Sequence, residues 1–290
     1  MLNLTINSPA KINLFLRIVG RRQDGYHELA SLFQTVSLFD VIHFSILEKK
    51  STDELSCNDL GIPVDTSNLI LKAADLFRRK TGLSFGLKVH LEKNIPYQSG
   101  LGGGSGNAAT TLWALNQLCG QPATVEDLCA WAGEIGSDIS FFFSQGTAYC
   151  TGRGEIVRSL PALQPINQKL WIVKPQGGLS TPAVYKQVNL NHLAQRDPEE
   201  FLKRFYTGDA EDFEYFNDLE GPAFVVMPAL ADLKAKLLGM DFQEVVLTGS
   251  GSGFFCLGKI ADLDGMGIAG LGLECHEVQF INRSPDKWYG

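Results

Sequence analysis

The amino-acid sequence predicts a mixed α+β protein with two domains. Apolar patterns of period two, typical of strands, and apolar patterns of helical spacing follow one another in both halves of the chain. At 290 residues the chain is long enough for two domains that each bury a core. The segment from Leu160 to Pro165 has two prolines in six residues and is the best linker candidate. We therefore expect an N-terminal domain over residues 1–163 and a C-terminal domain over residues 164–290.

The same patterns predict the order of the elements. In the first half they indicate three strands within 2–47, a helix over 68–80, a strand over 85–91, a helix from 107, a helix over 126–135 and two short strands within 146–158. In the second half they indicate a strand over 170–174, helical stretches within 181–240, a strand over 244–247, a glycine loop, a strand over 254–257, a helix and a last strand. Gly82 is suited to end the first of these helices.

A glycine cluster connects the strand over 85–91 to the next helix, in the segment Pro96-Tyr-Gln-Ser-Gly-Leu-Gly-Gly-Gly-Ser-Gly-Asn-Ala-Ala109. Glycines let backbone N–H groups approach an oxyanion closely, and the helix N-terminus adds unpaired N–H groups and a positive dipole end. A purely structural loop is disfavoured, because three consecutive glycines cost conformational entropy without a packing return. The segment therefore predicts a phosphate-binding loop. It is not a Walker loop, which would require a Gly-Lys-Ser/Thr ending.

Two N-terminal segments contain polar residues in unusual places. Lys11 and Asn13 interrupt the apolar, strand-like run from Ser8 to Leu16, where a cation needs a partner. The turn Asp24-Gly-Tyr-His-Glu28 then presents Tyr26 and His27 side by side. Taken alone, Lys11 fits an edge-strand lysine with its ammonium in water, and the turn residues fit an ordinary surface.

Two further segments leave alternatives open. Asp138 follows the helix over 126–135 and precedes an apolar Phe run, so it could cap the next element or be a carboxylate kept ionised by a nearby ammonium. The second glycine loop, Leu247-Thr-Gly-Ser-Gly-Ser-Gly253, lies between two short strands. Gly and Ser are ordinary turn residues, so a simple hairpin is as well supported as a functional loop.

Composition limits the class of protein. A net charge of −7 disfavours nucleic acid as a partner, and no apolar run reaches membrane-spanning length. The N-terminus shows no signal segment, and the six cysteines form no CxxC pair, which together predict a cytoplasmic protein with reduced thiols. The five histidines form no zinc-binding pattern. The oligomeric state is left open between a monomer and a weak dimer.

In this order, SPAKINLFL, DGYH, PYQSGLGGGSGNAA, GSD before the Phe run and LTGSGSG resemble the GHMP small-molecule kinases. Within that family they are most similar to the branch whose alcohol substrate carries a cytidine diphosphate. The N-terminal pair is the specific part, because mevalonate kinases typically have glycine at Ala10 and lack the Asp-Gly-Tyr-His turn. One position departs from the family: Gly106 stands where relatives usually have a second serine.

The resemblance implies a ribosomal-S5-like N-terminal domain, a ferredoxin-like C-terminal domain and a cleft between them that binds ATP, Mg²⁺ and the alcohol. It implies Asp138 as the base and Lys11 as its partner, with Ser105 as a weak metal ligand. The ATP-binding residues it implies are Pro96, Ser99, Gly100, Leu101, Gly102, Gly103, Gly104, Ser105, Gly106 and Asn68, although Asn68 is equally suited to be a helix N-cap.

The substrate-binding residues that the resemblance implies are Asn13, Tyr26, His27, Thr181, Tyr185, Gly249 and Ser250. The two tyrosine rings would stack on the cytosine, and His27 would hydrogen-bond to its edge. Two rival functions remain: a GHMP kinase for homoserine or a mevalonate derivative, which would leave the Tyr26-His27 turn unexplained, and a non-catalytic nucleotide-binding module, which would leave Lys11 and Asp138 unexplained.

Overall fold

The computed structural model of the protein describes residues 2–47, 52–163, 169–194, 196–208, 213–240, 242–258 and 271–290. Within these ranges the chain forms eleven β-strands and seven α-helices, arranged around two sheets. Strands and helices are mixed in both halves, so the predicted α+β class is confirmed.

Residues 2–47 form two long strands, β1 (Leu2–Arg21) and β2 (His27–Leu47), where three had been expected. They pair antiparallel along their whole length, with register shifts between Pro9 and Ala10, Asn13 and Phe15, and Ile18 and Gly20. Each shift is a bulge that breaks the period-two alternation without ending the pairing. A bulged strand therefore has the sequence pattern of two shorter strands.

The remaining elements of the first half are β3 (Glu54–Cys57), α1 (Leu69–Thr81), β4 (Gly86–Glu92), α2 (Gly103–Leu118), α3 (Val125–Ile135), β5 (Thr147–Gly152) and β6 (Ile156–Ser159). The first sheet has the order β3-β4-β2-β1-β8, in which β8 (Phe216–Asn217) comes from the second half of the chain. Strand β5 extends this sheet by pairing with β2 and β6. Residues from α1, α2 and α3 share one hydrophobic core with this sheet. Helix α2 begins at Gly103, four positions before the expected Asn107 (107 − 103 = 4), so the last glycines of the cluster form its first turn.

The second half contains β7 (Lys169–Lys174), α4 (Thr181–Tyr185), α5 (Pro198–Thr207), β8 (Phe216–Asn217), α6 (Glu220–Val226), α7 (Ala229–Leu238), β9 (Phe242–Leu247), β10 (Phe254–Gly258) and β11 (Glu274–Val278). Four of these strands form the second sheet, in the order β11-β7-β10-β9. The helix expected between the last two strands falls within 259–270, outside the described residues.

Contacts between the described residues connect the two halves at several places besides the linker, and two of them involve the first sheet. Strand β8 pairs parallel with β1 of the first sheet. Residues 279–290 also return to the first sheet, where Val36 bridges Phe280 and the backbone N–H of Ile281 donates to the Thr35 carbonyl. The proposed linker is described only as far as Leu163, and the domain boundary stays a prediction. In the described ranges no helix is both long and apolar enough to cross a membrane.

Candidate active site

A cavity of about 760 Å³ brings together residues from both halves of the chain. Ten of the residues predicted from the sequence line it: Lys11, Asn13, Tyr26, His27, Ser105, Asp138, Thr181, Tyr185, Gly249 and Ser250. Pro96 lines a separate cavity of about 350 Å³. The first cavity is large enough for a drug-sized ligand.

Lys11 and Asp138 meet at the wall of the large cavity. The Lys11 ammonium lies 3.5 Å from Oδ2 of Asp138, and it donates to Oδ1 of Asn13 at 2.8 Å. The lysine is fully buried on β1, whereas the Asp138 side chain retains 34% of its exposure and faces the cavity. Burial lowers the pKa of Lys11, and the nearby Asp138 carboxylate raises it in part. Of the two alternatives for Asp138, the structure therefore supports a carboxylate beside an ammonium.

The glycine cluster brings this pair next to a helix N-terminus. The backbone N–H of Lys11 donates to the Leu101 carbonyl at 2.9 Å, which fixes the cluster against β1. Gly100 and Gly102 have φ of 83° and 71°, a conformation that disfavours any side chain. Gly102 is the N-cap of α2 and makes no side-chain cap bond. The first N–H groups of α2 therefore have no side-chain cap and could bind an anion, and the phosphate-binding role stays a prediction.

The residues of the cluster differ in their surroundings. A Cβ added at Gly103 would lie 3.1 Å from both Ile95 and Lys93, and one at Gly106 would lie 2.7 Å from the Pro9 carbonyl oxygen. At both positions glycine permits close packing within the protein. Gly104 is exposed, and a Cβ there would meet only Leu69, at 3.5 Å. Gly104 is thus the cluster position at which a side chain would extend away from the protein core.

Ser99 shapes the cluster from within. Its buried hydroxyl donates to the Pro96 carbonyl at 2.7 Å and accepts from the Leu101 backbone N–H at 3.3 Å. Ser105 follows in the first turn of α2 and lines the large cavity. Of the predicted phosphate-binding residues, Ser105 is therefore the one with a side-chain hydroxyl at the cavity wall.

The second glycine loop is a hairpin turn that also packs against the first loop. It joins β9 to β10, and its Gly253 N–H donates to the Ser99 carbonyl at 2.9 Å. A Cβ at Gly100 would overlap the Thr248 carbonyl oxygen, and a Cβ at Gly251 would overlap the Gly100 nitrogen. The two loops therefore pack backbone against backbone, and glycine is required on both sides.

The residues expected to bind the cytosine line the same cavity. The His27 and Tyr185 rings are in tilted contact, with centroids 5.4 Å apart. Tyr26 is 58% exposed, and the Arg153 guanidinium lies 5.2 Å above its ring. Burial and the Arg21 charge lower the pKa of His27, which favours a neutral ring that can both donate and accept. Thr181 and Ser250 share a hydrogen bond of 2.8 Å between their hydroxyls.

The two asparagines among the predicted residues have carboxamides that are hydrogen-bonded within the protein. The Asn68 carboxamide accepts from the Ile70 N–H at 2.9 Å and donates to the Pro63 carbonyl at 2.6 Å, so it is the N-cap of α1. Asn13 is fully buried, and its carboxamide bonds to Lys11, Ser31 and Thr248. Asn13 thus orients Lys11 in this structure, and ligand roles for both asparagines stay predictions.

Sequence reasoning missed several cavity residues, among them Arg21, Ser137, Arg153 and Lys186. Arg153 had a usable signal, because it stands between two glycines in Thr151-Gly-Arg-Gly154, at the turn between β5 and β6. A cation in a tight turn next to the Asp138 segment adds positive charge where an anionic substrate would bind.

Comparisons with known proteins identify close relatives. The model of the GHMP kinases N terminal domain matches residues 68–146. The 4-diphosphocytidyl-2-C-methyl-D-erythritol kinase of Protochlamydia amoebophila is 50% identical over 289 residues, covering 100% of this chain and 94% of its own. The chloroplastic enzyme of the same name from Oryza sativa is 46% identical, covering 99% of this chain and 73% of its own.

Solved structures show the same fold. A crystal structure of 4-(cytidine 5'-diphospho)-2C-methyl-D-erythritol kinase matches with a TM-score of 0.76 and 32% identity, covering 96% of this chain and 99% of the other. Homoserine kinase from Cytophaga hutchinsonii matches with a TM-score of 0.73 but only 18% identity, over 98% and 96% of the two chains. The second likeness shows the fold alone.

Proposed function

The chain belongs to the family of 4-diphosphocytidyl-2-C-methyl-D-erythritol kinases, within the GHMP kinases, and on that premise we propose how its own residues carry out the reaction. The predicted two-domain GHMP kinase fold and the predicted kinase activity are confirmed by these relatives. The enzyme is an ATP-dependent small-molecule kinase. In our proposal it transfers the γ-phosphoryl group to the tertiary 2-hydroxyl of the cytidine-diphosphate-linked methylerythritol.

Lys11 and Asp138 are the proposed catalytic residues. Phosphoryl transfer is loose, so catalysis consists mainly of positioning and charge neutralisation, and the hydroxyl proton leaves late. The Asp138 carboxylate faces the cavity and would accept that proton. The buried Lys11 ammonium, 3.5 Å away, would orient the carboxylate and stabilise charge on the attacking oxygen and the transferring group. The observation that supports this proposal most directly is the ion pair at the wall of a cavity that Ser105, in the first turn of α2, also lines.

The N-terminus of α2 and the backbone N–H groups of the glycine cluster would hold the ATP phosphates. We propose Mg²⁺ as the accompanying metal. The residues fit a metal held mainly by phosphate and water oxygens, since Ser105 and Asp138 line the same cavity but no three acidic, histidine or cysteine side chains converge in the described part of the chain. Bound Mg²⁺ would neutralise charge on the β- and γ-phosphate oxygens.

A coupled assay of ADP release with a panel of alcohols tests the proposal. We expect turnover with the cytidine-diphosphate-linked methylerythritol, and little with homoserine or mevalonate. A uridine analogue should also be poor, because the exchanged donor and acceptor would leave polar groups beside His27 unpaired. Equal turnover of the cytidine and uridine compounds, or efficient phosphorylation of homoserine, would contradict the assignment of the substrate.

We also propose a cytoplasmic location. The buried thiols of Cys150 and Cys256 support it, because burial raises the pKa of both well above the ordinary value and suits reduced, unreactive cysteines. Fractionation of the cells that make the protein would test this location.

A further inference from the structure

Asn217 lies outside the cavity and has no role in the mechanism described above. It is 6% exposed, and its carboxamide uses every hydrogen-bonding group. Its nitrogen donates to the Leu247 carbonyl at 2.8 Å and to the Gly249 carbonyl at 2.7 Å, while its oxygen accepts from the Leu219 N–H at 2.9 Å. A single side chain thus holds the start of the second glycine loop at two points.

The backbone of Asn217 is fixed to the strand that carries Lys11. Asn217 pairs with Leu16 where β8 joins β1. The next residue, Asp218, accepts from the Arg17 guanidinium at 2.6 Å and from the Ile18 N–H at 2.8 Å. Its N–H donates to the Leu16 carbonyl at 2.9 Å. Asn217 therefore extends from an anchored part of β1 to the second glycine loop.

The held segment contacts the catalytic lysine. A Cβ added at Gly249 would lie 3.3 Å from the Lys11 ammonium nitrogen. Thr248 accepts from the Asn13 backbone N–H at 3.2 Å, and its hydroxyl lies 3.4 Å from Oδ1 of Asn13. That same Oδ1 accepts from Lys11 at 2.8 Å. The position of the ammonium thus depends on where residues 247–249 lie.

We propose that Asn217 is a positioning residue of the kinase: by holding the carbonyls of Leu247 and Gly249, it sets the place of the Lys11 ammonium relative to Asp138. This proposal rests on the catalytic role assigned to Lys11.

The proposal predicts a loss mainly in the chemical step. Gly249 is also a predicted substrate-binding residue, and Thr248 packs on Gly100. Gly251 and Gly253, however, contact the first glycine loop outside the held segment. The rest of the loop should therefore keep its place, and KM should change less than kcat.

The variants Asn217→Asp and Asn217→Ser test the positioning role of Asn217. Neither residue can donate two hydrogen bonds to two carbonyls, and the serine introduces no buried charge. The matched control is Asn116, which is 4% exposed and holds Ala123 through the same kind of bonds, at 2.9 and 3.1 Å. Asn116 lies on α2 about 18 Å along the axis from Gly104. Asn116→Asp and Asn116→Ser therefore measure the loss of stability that follows when a buried asparagine no longer hydrogen-bonds to the backbone of a loop.

We expect kcat of both Asn217 variants to fall at least about tenfold, since small displacements of catalytic groups cost that much, with each KM within about threefold of wild type. Hydrogen exchange should rise over residues 247–250 in the Asn217 variants alone. The Asn116 variants should lose comparable thermal stability and keep kcat. An unchanged kcat, or a loss that appears only in KM, overturns the positioning role while the kinase assignment stands. Absence of turnover in the wild type overturns both.

Discussion

Lys11 is a fully buried lysine on an otherwise apolar strand. Burial of an ammonium is costly unless partners compensate, and here Asn13 and Asp138 supply them. Because Asp138 keeps access to the cavity, the pair has one buried, fixed member and one member that can reach a substrate. This asymmetry suits a lysine that positions and a carboxylate that accepts a proton.

Substitutions at the pair should remove catalysis without unfolding the protein. We expect Asp138→Asn and Lys11→Ala each to lower kcat by roughly 10² to 10⁴. The double variant should lose much less than the product of the single losses, because the two groups act as a unit. Steady-state kinetics measures the effect, and circular dichroism controls for folding. Near-normal turnover of Asp138→Asn would rule out its role as the base.

The lowered pKa of Lys11 predicts an alkaline limit to activity. The Lys11 amine must be protonated to stabilise negative charge. Because its pKa is lowered, kcat should begin to fall at a lower pH than it would for a lysine with the ordinary pKa of about 10.4. At a pH between the lowered pKa of Lys11 in the folded protein and its ordinary pKa in the unfolded chain, the unfolded chain binds more protons at this residue. The contribution of Lys11 to the free energy of unfolding therefore rises with pH in this window. Loss of activity in this window is therefore not loss of fold.

A pH profile of kcat, with circular dichroism at each pH, checks this expectation. The measurements should be limited to pH values below about 10, because tyrosines in the unfolded chain ionise near that pH. Above that pH, buried tyrosines such as Tyr149, whose pKa is raised to about 12, make the free energy of unfolding fall as the pH rises. A kcat that stays constant over the whole alkaline range would contradict the assigned role of the ammonium.

At the scale of elements, the N-terminus of α2 has residues of low helix propensity and backbone N–H groups that are open to a ligand. Its first turn consists largely of glycine, and its N-cap makes no side-chain bond, so the turn is stabilised less than in an ordinary helix. Gly106 packs against β1, and the residues just before the helix, Ser99 and Gly100, contact the second glycine loop. We therefore expect low local stability in the first turn of α2, where the backbone N–H groups must remain free to bind phosphate.

Gly104→Ala should separate stability from nucleotide binding. The methyl group fits the protein and improves helix propensity, so the free energy of unfolding should rise by up to about 1 kcal/mol. The same methyl would occupy the phosphate approach, so we expect ATP to bind about tenfold or more weakly. Urea unfolding and calorimetry measure the two effects.

Gly133→Ala is the matched control for this substitution, because Gly133 lies in α3 and a Cβ there would make only ordinary contacts, the nearest at 3.5 Å. It should gain stability and leave ATP binding unchanged. Unchanged ATP binding in Gly104→Ala would show that the exposed edge of the first turn does not face the phosphates.

At the scale of the whole molecule, the last residues of the chain stabilise the N-terminal half. The Trp288 ring stacks on Trp113 of α2 at 5.1 Å, and its indole N–H donates to Thr110 at 3.1 Å. The Arg283 guanidinium donates to backbone carbonyls of residues 143 and 144. The chain end therefore packs against the middle of the helix whose N-terminus contains the glycine cluster.

Removal of this contact should destabilise the protein substantially. We expect Trp288→Ala to lower the free energy of unfolding by about 2–4 kcal/mol, because a large, partly buried ring and its hydrogen bond are lost. Trp288→Phe keeps a ring for stacking and should cost only about 1 kcal/mol, the value of a typical hydrogen bond. Urea denaturation compares the two. Equal stability of Trp288→Ala and wild type would show that the chain end does not support α2.

The sequence by itself determined the local structures and the chemistry that they offer. The caps of α1, the glycine cluster before α2 and the order of most elements depend on nearby residues, so patterns could predict them. The N-terminal motifs also carried the family assignment, which the relatives confirm.

The tertiary structure alone decided which distant residues meet. Asp138 and the second glycine loop each had two supported interpretations, and only the packing of β1 against both shows where they lie. The contacts of Asn217 and the chain end depend on partners far away in sequence, for which a local pattern carries no signal. The number of N-terminal strands was predicted wrongly for the same reason: pairing with β2 continues β1 through bulges that interrupt its own alternation.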